Sequence, residues 1–114
     1  MGIDLVRILA NIILMIQSFS DSLTEKIFKQ DDLTRKEIRS LGALNIHKAA
    51  ERLHLLNKMT EKDLLQTPSL KYHTLNDGRY SIDADSRKSK WRITFQWDDD
   101  ELVDVSFVKI EDTH

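Results

Sequence analysis

The stretch that decides the fold is 91–97, WRITFQW, in which large apolar residues alternate with polar ones. Its four apolar residues stand at every second position. They would share one side of an extended chain, because successive side chains of a β-strand point to opposite faces. The stretch therefore predicts a strand that packs one face on the core and presents polar side chains on the other.

Alternation continues on both sides of this stretch. Residues 80–84 alternate before it, and a further strand is predicted over 102–110. The connecting segments 85–89 and 98–100 are rich in Asp and Ser, which favour turns. These segments predict an antiparallel meander.

The first half of the chain has helical spacing instead. A short helix is predicted after a capping residue, Ser20 or Asp21. A longer helix is predicted over 44–57, where apolar residues recur at three- and four-residue steps, and a further turn over 61–65.

Two more extended segments complete the predicted fold. Residues 16–19 are expected to add an N-terminal strand, and residues 70–75 another strand after Pro68. The expected class is α+β: an N-terminal strand, then two α-helices packed on a C-terminal antiparallel sheet of about four strands.

Composition narrows the possible classes of protein. A chain of 114 residues has the length of one domain, and its 40% hydrophobic and 32% charged residues suit a folded core. With no cysteine it has no disulfide framework or thiolate metal site, which suits the cytoplasm. The apolar run 8–14 is too short to cross a bilayer, so no membrane association is expected.

The net charge of −2 means that binding to a nucleic acid would need a local basic patch. Between Pro68 and Trp97 three acidic residues accompany six basic ones, which are Lys71, Arg79, Arg87, Lys88, Lys90 and Arg92. The loop around 87–90 could grip RNA or be a plain hairpin.

Five short strings, in order, resemble the HigB branch of the RelE-like toxins. They are Met15-Ile-Gln-Ser-Phe19, Leu70-Lys-Tyr-His-Thr-Leu75, Tyr80-Ser-Ile82, Trp91-Arg-Ile-Thr-Phe95 and Glu111-Asp-Thr-His114. The resemblance covers 15–114 and implies the RelE-like toxin fold. It leaves 1–14 outside the family domain, as an N-terminal extension.

The same resemblance implies a function. The chain would be the toxin of a type II toxin–antitoxin system, a cytoplasmic endoribonuclease that cuts translated mRNA on the ribosome without a metal or other cofactor. Its partners would be the ribosome with its mRNA and a HigA-like helix-turn-helix antitoxin. Operator DNA would be bound only through that antitoxin.

Cutting RNA without a metal requires a base for the ribose 2′-hydroxyl, a cation for the phosphate and an acid for the leaving oxygen. The resemblance implies a catalytic set of His73, Arg92, Asp112 and His114. His114 or Asp112 would be the base, His73 the acid or a phosphate contact, and Arg92 the clamp on the scissile phosphate. Five further positions are predicted to bind RNA. Asn76 and Thr113 occupy the family's lysine and tyrosine positions, Lys71 or Arg79 could replace the lost lysine charge, and Lys90 belongs to the loop 87–90. This interpretation requires His73, Arg92 and His114 to share one open groove.

Two alternatives stay open. Asn76 stands where the family pattern has lysine, and Thr113 where it has tyrosine. The chain could therefore be a catalytically impaired homologue that serves as an antitoxin-binding partner or co-repressor. A gyrase-directed toxin of the ParE type on the same fold is the other alternative, against which the ending 112–114 argues.

Overall fold

The computed structural model describes residues 15–113. The predicted extension 1–14 and the predicted catalytic residue His114 lie outside the described residues. Between these limits the chain forms an α+β domain with four helices and four antiparallel strands, as predicted for the fold class.

The helices occupy the first half of the described chain. They are α1 Ser22–Lys29, α2 Arg35–Ser40, α3 Ile46–Leu56 and α4 Glu61–Leu65, followed by a 3₁₀ turn at Pro68–Leu70. Asp21 caps α1 by accepting from the Thr24 N–H, which satisfies an amide that has no partner inside the helix. The predicted cap by Asp21 and the predicted bounds of α4 are confirmed.

The second helix, α2, was not predicted. None of its residues is buried, so it lacks the apolar stripe on which the prediction of the other helices depended. A capping box begins it: the Thr34 hydroxyl accepts from the Glu37 N–H, and the Glu37 carboxylate accepts from the Thr34 N–H. That pair is a local signal readable in the sequence.

The strands follow in the order β1 His73–Thr74, β2 Tyr80–Asp83, β3 Trp91–Trp97 and β4 Val105–Asp112, and each pairs with its neighbour in that order. β3 has the predicted bounds. The strand predicted over 70–75 is wrong in extent, because the 3₁₀ turn occupies its start and Lys71 adopts a left-handed φ of 57°. Only two residues of it pair with β2.

The predicted N-terminal strand is an extended segment, 15–20, that runs parallel to the outer side of β4. The Gln17 N–H donates to the Val105 carbonyl and the Ser20 N–H to the Val108 carbonyl. Pairing is limited to two isolated bridges, because β4 bulges at Phe107, whose φ is 56° and whose N–H donates to the Ser18 hydroxyl.

One buried side chain fixes this segment to the helices. The Asn57 carbonyl Oδ1, at the end of α3, accepts from the N–H groups of Met15 at 2.7 Å and Ile16 at 3.0 Å. Together with the bridges to β4, these two hydrogen bonds hold 15–20 between the helical layer and the sheet edge.

The register separates the sheet into two chemically different faces. Directly paired residues share a face, and Ile82, Ile93 and Ile110 form an apolar row that joins the core with Phe95, Leu53 and Leu56. The residues that alternate with these along the strands point to the opposite, polar face of the sheet. Among residues 15–113 no helix has the length and apolar character needed to span a membrane.

Candidate functional site

The candidate site lies on the polar face of the sheet. Alternation along the strands places two paired rows there: His73, Ser81, Thr94 and Lys109 in one, and Asp83, Arg92 and Glu111 in the other. Three of the four predicted catalytic positions are described, and two of them, His73 and Arg92, belong to these rows.

A cleft opens where the turn after β1 meets the end of β4. It has a volume of about 360 Å³, and its lining residues are Leu75, Asn76, Asp77, Arg79, Glu111, Asp112 and Thr113. Four residues predicted from the sequence therefore come together, which are Asn76, Arg79, Asp112 and Thr113.

Arg79 is the cation of this cleft. Its Nε lies 2.8 Å from Asp77 Oδ2, and its Nη1 lies 2.8 Å from Glu111 Oε1 and 3.2 Å from Thr94 Oγ1. The side chain is 30% exposed. The hydrogen bond to Glu111, followed by that to Asp77, raises the pKa of Arg79. A guanidinium held by two carboxylates is fixed in place while part of it still faces solvent.

Two carboxylates contact Arg79, and a third, Asp112, lines the same cleft. Asp77 accepts from the Arg79 backbone N–H and from its side chain, and these bonds lower the pKa of Asp77. Glu111 also lies 3.5 Å from Lys109 Nζ. Asp112 points to the opposite side of β4 by alternation, yet it borders the cleft because the strand ends there.

The expectation that Arg92 lies open to a phosphate is wrong. Arg92 is 4% exposed, and its Nη1 donates to the carbonyls of Ser89 at 2.6 Å and Trp91 at 2.8 Å. Its Nε lies 3.3 Å from Oδ1 of Asp83, its buried partner across the strands. The β2–β3 connection closes around the guanidinium, so Arg92 does not line the cleft.

His73 lies apart from the cleft. β1 and β4 are the first and last strands of the order β1-β2-β3-β4, so His73 is separated from Lys109, its counterpart in the same row, by three spacings of about 4.8 Å, about 14 Å in all. Asp112 lies three residues farther along β4. The imidazole is exposed, and its Nδ1 lies 2.7 Å from the Lys71 carbonyl oxygen. The single groove expected for His73, Arg92 and His114 is therefore not formed by the two members that are described.

The remaining predicted RNA-binding residues are also placed outside the cleft. Lys71 is exposed before β1, and Lys90 lies in the β2–β3 connection, with its Nζ 4.0 Å from Asp112 Oδ2. Asp77 and Glu111 were missed by sequence reasoning. The Asp77-Gly78 turn was a local signal for the first, but nothing local indicated that Glu111 would meet Arg79.

Comparison with family models, curated proteins and solved structures finds no match to this chain. The described side chains include no group of three or more His, Asp or Glu suited to hold a metal ion. The chemistry of the cleft is that of one fixed cation among carboxylates. Only the exposed part of the Arg79 guanidinium is available to an anionic oxygen, and three carboxylates line the cleft beside this one cation.

Proposed function

We propose that this chain is a RelE-like toxin of the HigB kind that cuts ribosome-bound mRNA, with Arg79 rather than Arg92 as the cation on the scissile phosphate. The observation that carries the proposal is the cleft in which Asn76, Arg79, Asp112 and Thr113 meet. Asp112 is carried over from the resemblance, Asn76 and Thr113 occupy the family's lysine and tyrosine positions, and Arg79 is a predicted replacement for the missing lysine charge. The four come from two separate parts of the chain.

The proposed reaction is transfer of the phosphate to the neighbouring ribose hydroxyl. The 2′-oxygen forms a bond to phosphorus while the bond to the 5′-oxygen breaks. The 2′ proton passes to a base, and the 5′-oxygen receives a proton from an acid. Asp112 and His114, two positions apart in the sequence, are the candidates for the base and the acid, because His73 lies too far from the cleft to reach an oxygen held at Arg79.

Arg79 suits the role of the clamp for an electrostatic reason. Charge gathers on the phosphate oxygens as the new bond forms, and a cation that is already oriented needs little reorganisation to stabilise it. Asp77 and Glu111 supply that orientation through the two 2.8 Å contacts. A phosphate would approach the exposed side of the guanidinium.

A second function is favoured by the enclosed Arg92. If catalysis needs a second cation, the chain is a catalytically impaired homologue that binds an antitoxin or acts as a co-repressor. In both cases we propose a cytoplasmic protein with a HigA-like helix-turn-helix partner, which alone contacts operator DNA. If the chain is an enzyme, the ribosome and its mRNA are further partners.

Mapping cuts in translated mRNA by primer extension, after induction of the chain, tests the proposal. We expect cuts with the wild type and with the control Arg39→Ala, which removes an exposed arginine from α2. Arg79→Ala should slow cutting about 100-fold, as expected when a stabilising donor is lost. Asp112→Asn and His114→Ala test the base and the acid, and His73→Ala, at a position outside the cleft, should change cutting little.

The alternatives predict different outcomes. Intact transcripts, with tight binding of an antitoxin by both wild type and Arg79→Ala, would leave the impaired homologue as the function. Intact transcripts with altered DNA topology would favour a ParE-like activity. A urea midpoint for each variant separates lost chemistry from lost folding.

A further inference from the structure

The connection between β2 and β3 is organised from inside by Arg92. We call residues 84–90 the basic loop. The Arg92 guanidinium donates to three carbonyls at the loop's end, those of Ser89 at 2.6 Å, Trp91 at 2.8 Å and Arg87 at 3.4 Å. A planar, forked donor that satisfies several carbonyls at once fixes the loop's path.

The buried carboxylate of Asp83 completes this arrangement. Its Oδ1 lies 3.3 Å from Arg92 Nε and 3.0 Å from Arg87 Nη1. The other acid nearby, Asp85, accepts through Oδ2 from the Asn45 N–H at the start of α3. Both carboxylates are therefore engaged by other groups of the protein.

The lysines of the loop face outward, and Arg87 is also exposed although its Nη1 bonds Asp83. The side chains of Arg87 and Lys90 are 57% and 60% exposed, and Lys88 is exposed without a hydrogen bond or ion pair to any residue in 15–113. From 83 to 92 four basic residues stand against two acidic ones, a net charge of +2 in a chain whose total is −2. The positive charge is concentrated at this loop.

We propose that the basic loop is a docking surface for the phosphate backbone of single-stranded RNA, and that Arg92 is the positioning residue that holds it in shape. Lys90 Nζ lies 5.1 Å from the centre of the partly buried Trp91 ring, so a cation and an aromatic surface are adjacent. That combination suits a single strand, whose phosphates and bases are both accessible.

The position of the loop links it to the cleft. Lys90 Nζ lies 4.0 Å from Asp112 Oδ2, and Asp112 lines the cleft around Arg79. The basic loop therefore borders the same end of β4 as the cleft. The choice of RNA as the polyanion rests on the proposed function, whereas the geometry of the loop does not.

Binding of fluorescein-labelled oligouridylate to the full chain, followed by anisotropy over a range of salt, tests the proposal. The test variant is Lys88→Gln with Lys90→Gln. The control is Lys36→Gln with Lys58→Gln, which removes the same charge from exposed positions on the helical side. We expect about tenfold weaker binding for the test variant and a salt slope smaller by about 1.4, two contacts at about 0.7 each.

Arg92→Lys tests the positioning role, because it keeps the charge and loses the fork. We expect weaker binding of oligouridylate and faster amide exchange within the basic loop. If Arg92→Lys binds oligouridylate as tightly as the wild type although the amides of the basic loop exchange faster, the role of Arg92 is overturned. If Arg92→Lys does not fold, the lysine variants still decide the proposal, since they change only exposed side chains.

Three results would overturn the docking surface: no binding by the wild type at low salt, equal loss in test and control variants, or binding to phosphatidylserine vesicles in place of RNA. Failure of the proposed function is recognised separately. A wild type that binds oligouridylate through the loop but leaves translated mRNA intact would retain the docking surface and lose the enzyme.

Discussion

Arg79, just before β2, binds Glu111 near the end of β4, with 2.8 Å between Nη1 and Oε1, although 32 residues separate them in the chain. The contact crosses β3, where the same nitrogen donates to the Thr94 hydroxyl. Two strands that are not neighbours in the sheet are thereby joined through side chains on its polar face.

A double-mutant cycle with Arg79→Met and Glu111→Gln should show a coupling of about 1 kcal/mol in the free energy of unfolding, because the pair is partly shielded from water. The exposed pair Lys29 and Glu25 on α1 is the reference, and its coupling should be smaller, because water screens both charges. Equal couplings in the two cycles would show that the partial shielding of Arg79 and Glu111 does not strengthen their interaction.

Asp83→Asn should lower the free energy of unfolding by about 3 kcal/mol, since it leaves the buried Arg92 charge without its carboxylate. Urea unfolding measures the change. Asp32→Asn, at an exposed position, is the control and should change little. A loss below about 1 kcal/mol would mean that water reaches Arg92.

Asp104→Asn should stabilise the protein at neutral pH. Burial, and then the charges of Asp99, Asp98 and Glu101, raise the pKa of Asp104, so its ionised form is disfavoured in the folded state. As the pH falls through this raised pKa the wild type becomes protonated and recovers that stability. The advantage of the variant should therefore shrink on acidification and vanish below about pH 4.

Thermal unfolding of both proteins across this pH range checks the expectation. Asp100→Asn, at an exposed position of the same loop, is the matched control, because Asp100 is not among the charges that act on Asp104. An advantage of Asp104→Asn that persists at low pH would attribute the effect to packing rather than to ionisation.

Ser81→Ala should raise the free energy of unfolding by about 1 kcal/mol, because the fully buried Ser81 hydroxyl has no hydrogen-bond partner in the described structure. Thr24→Val is the comparison. It removes a buried hydroxyl that accepts from the Ile110 N–H, and should lower stability by a similar amount. A destabilised Ser81→Ala would indicate that this hydroxyl is bonded.

The parts of the fold that were predicted are those with strong local signals. The alternation of 91–97 determines β3, and the Thr60 capping pattern determines α4. The extent of β1 could not be predicted, because the left-handed conformation of Lys71 is rare for a residue with a side chain. Local patterns predict elements better than they predict the interruptions between them.

The candidate site was predicted only in part, for a different reason. Alternation correctly assigns Arg92 to the polar face, but it does not reveal that the chain folds back over this residue after Asp83. In the same way, Asp77 and Glu111 join the site through the reach of Arg79. Such contacts depend on loop paths and rotamers, which periodicity does not encode.

The extended segment 15–20, which is hydrogen-bonded to Asn57, affects how molecules of this protein interact at high concentration. It occupies the outer side of β4, while the opposite margin of the sheet is only the two residues of β1. Within residues 15–113, both margins of the sheet are therefore either covered or short, which leaves a second molecule little exposed strand on which to extend a shared sheet.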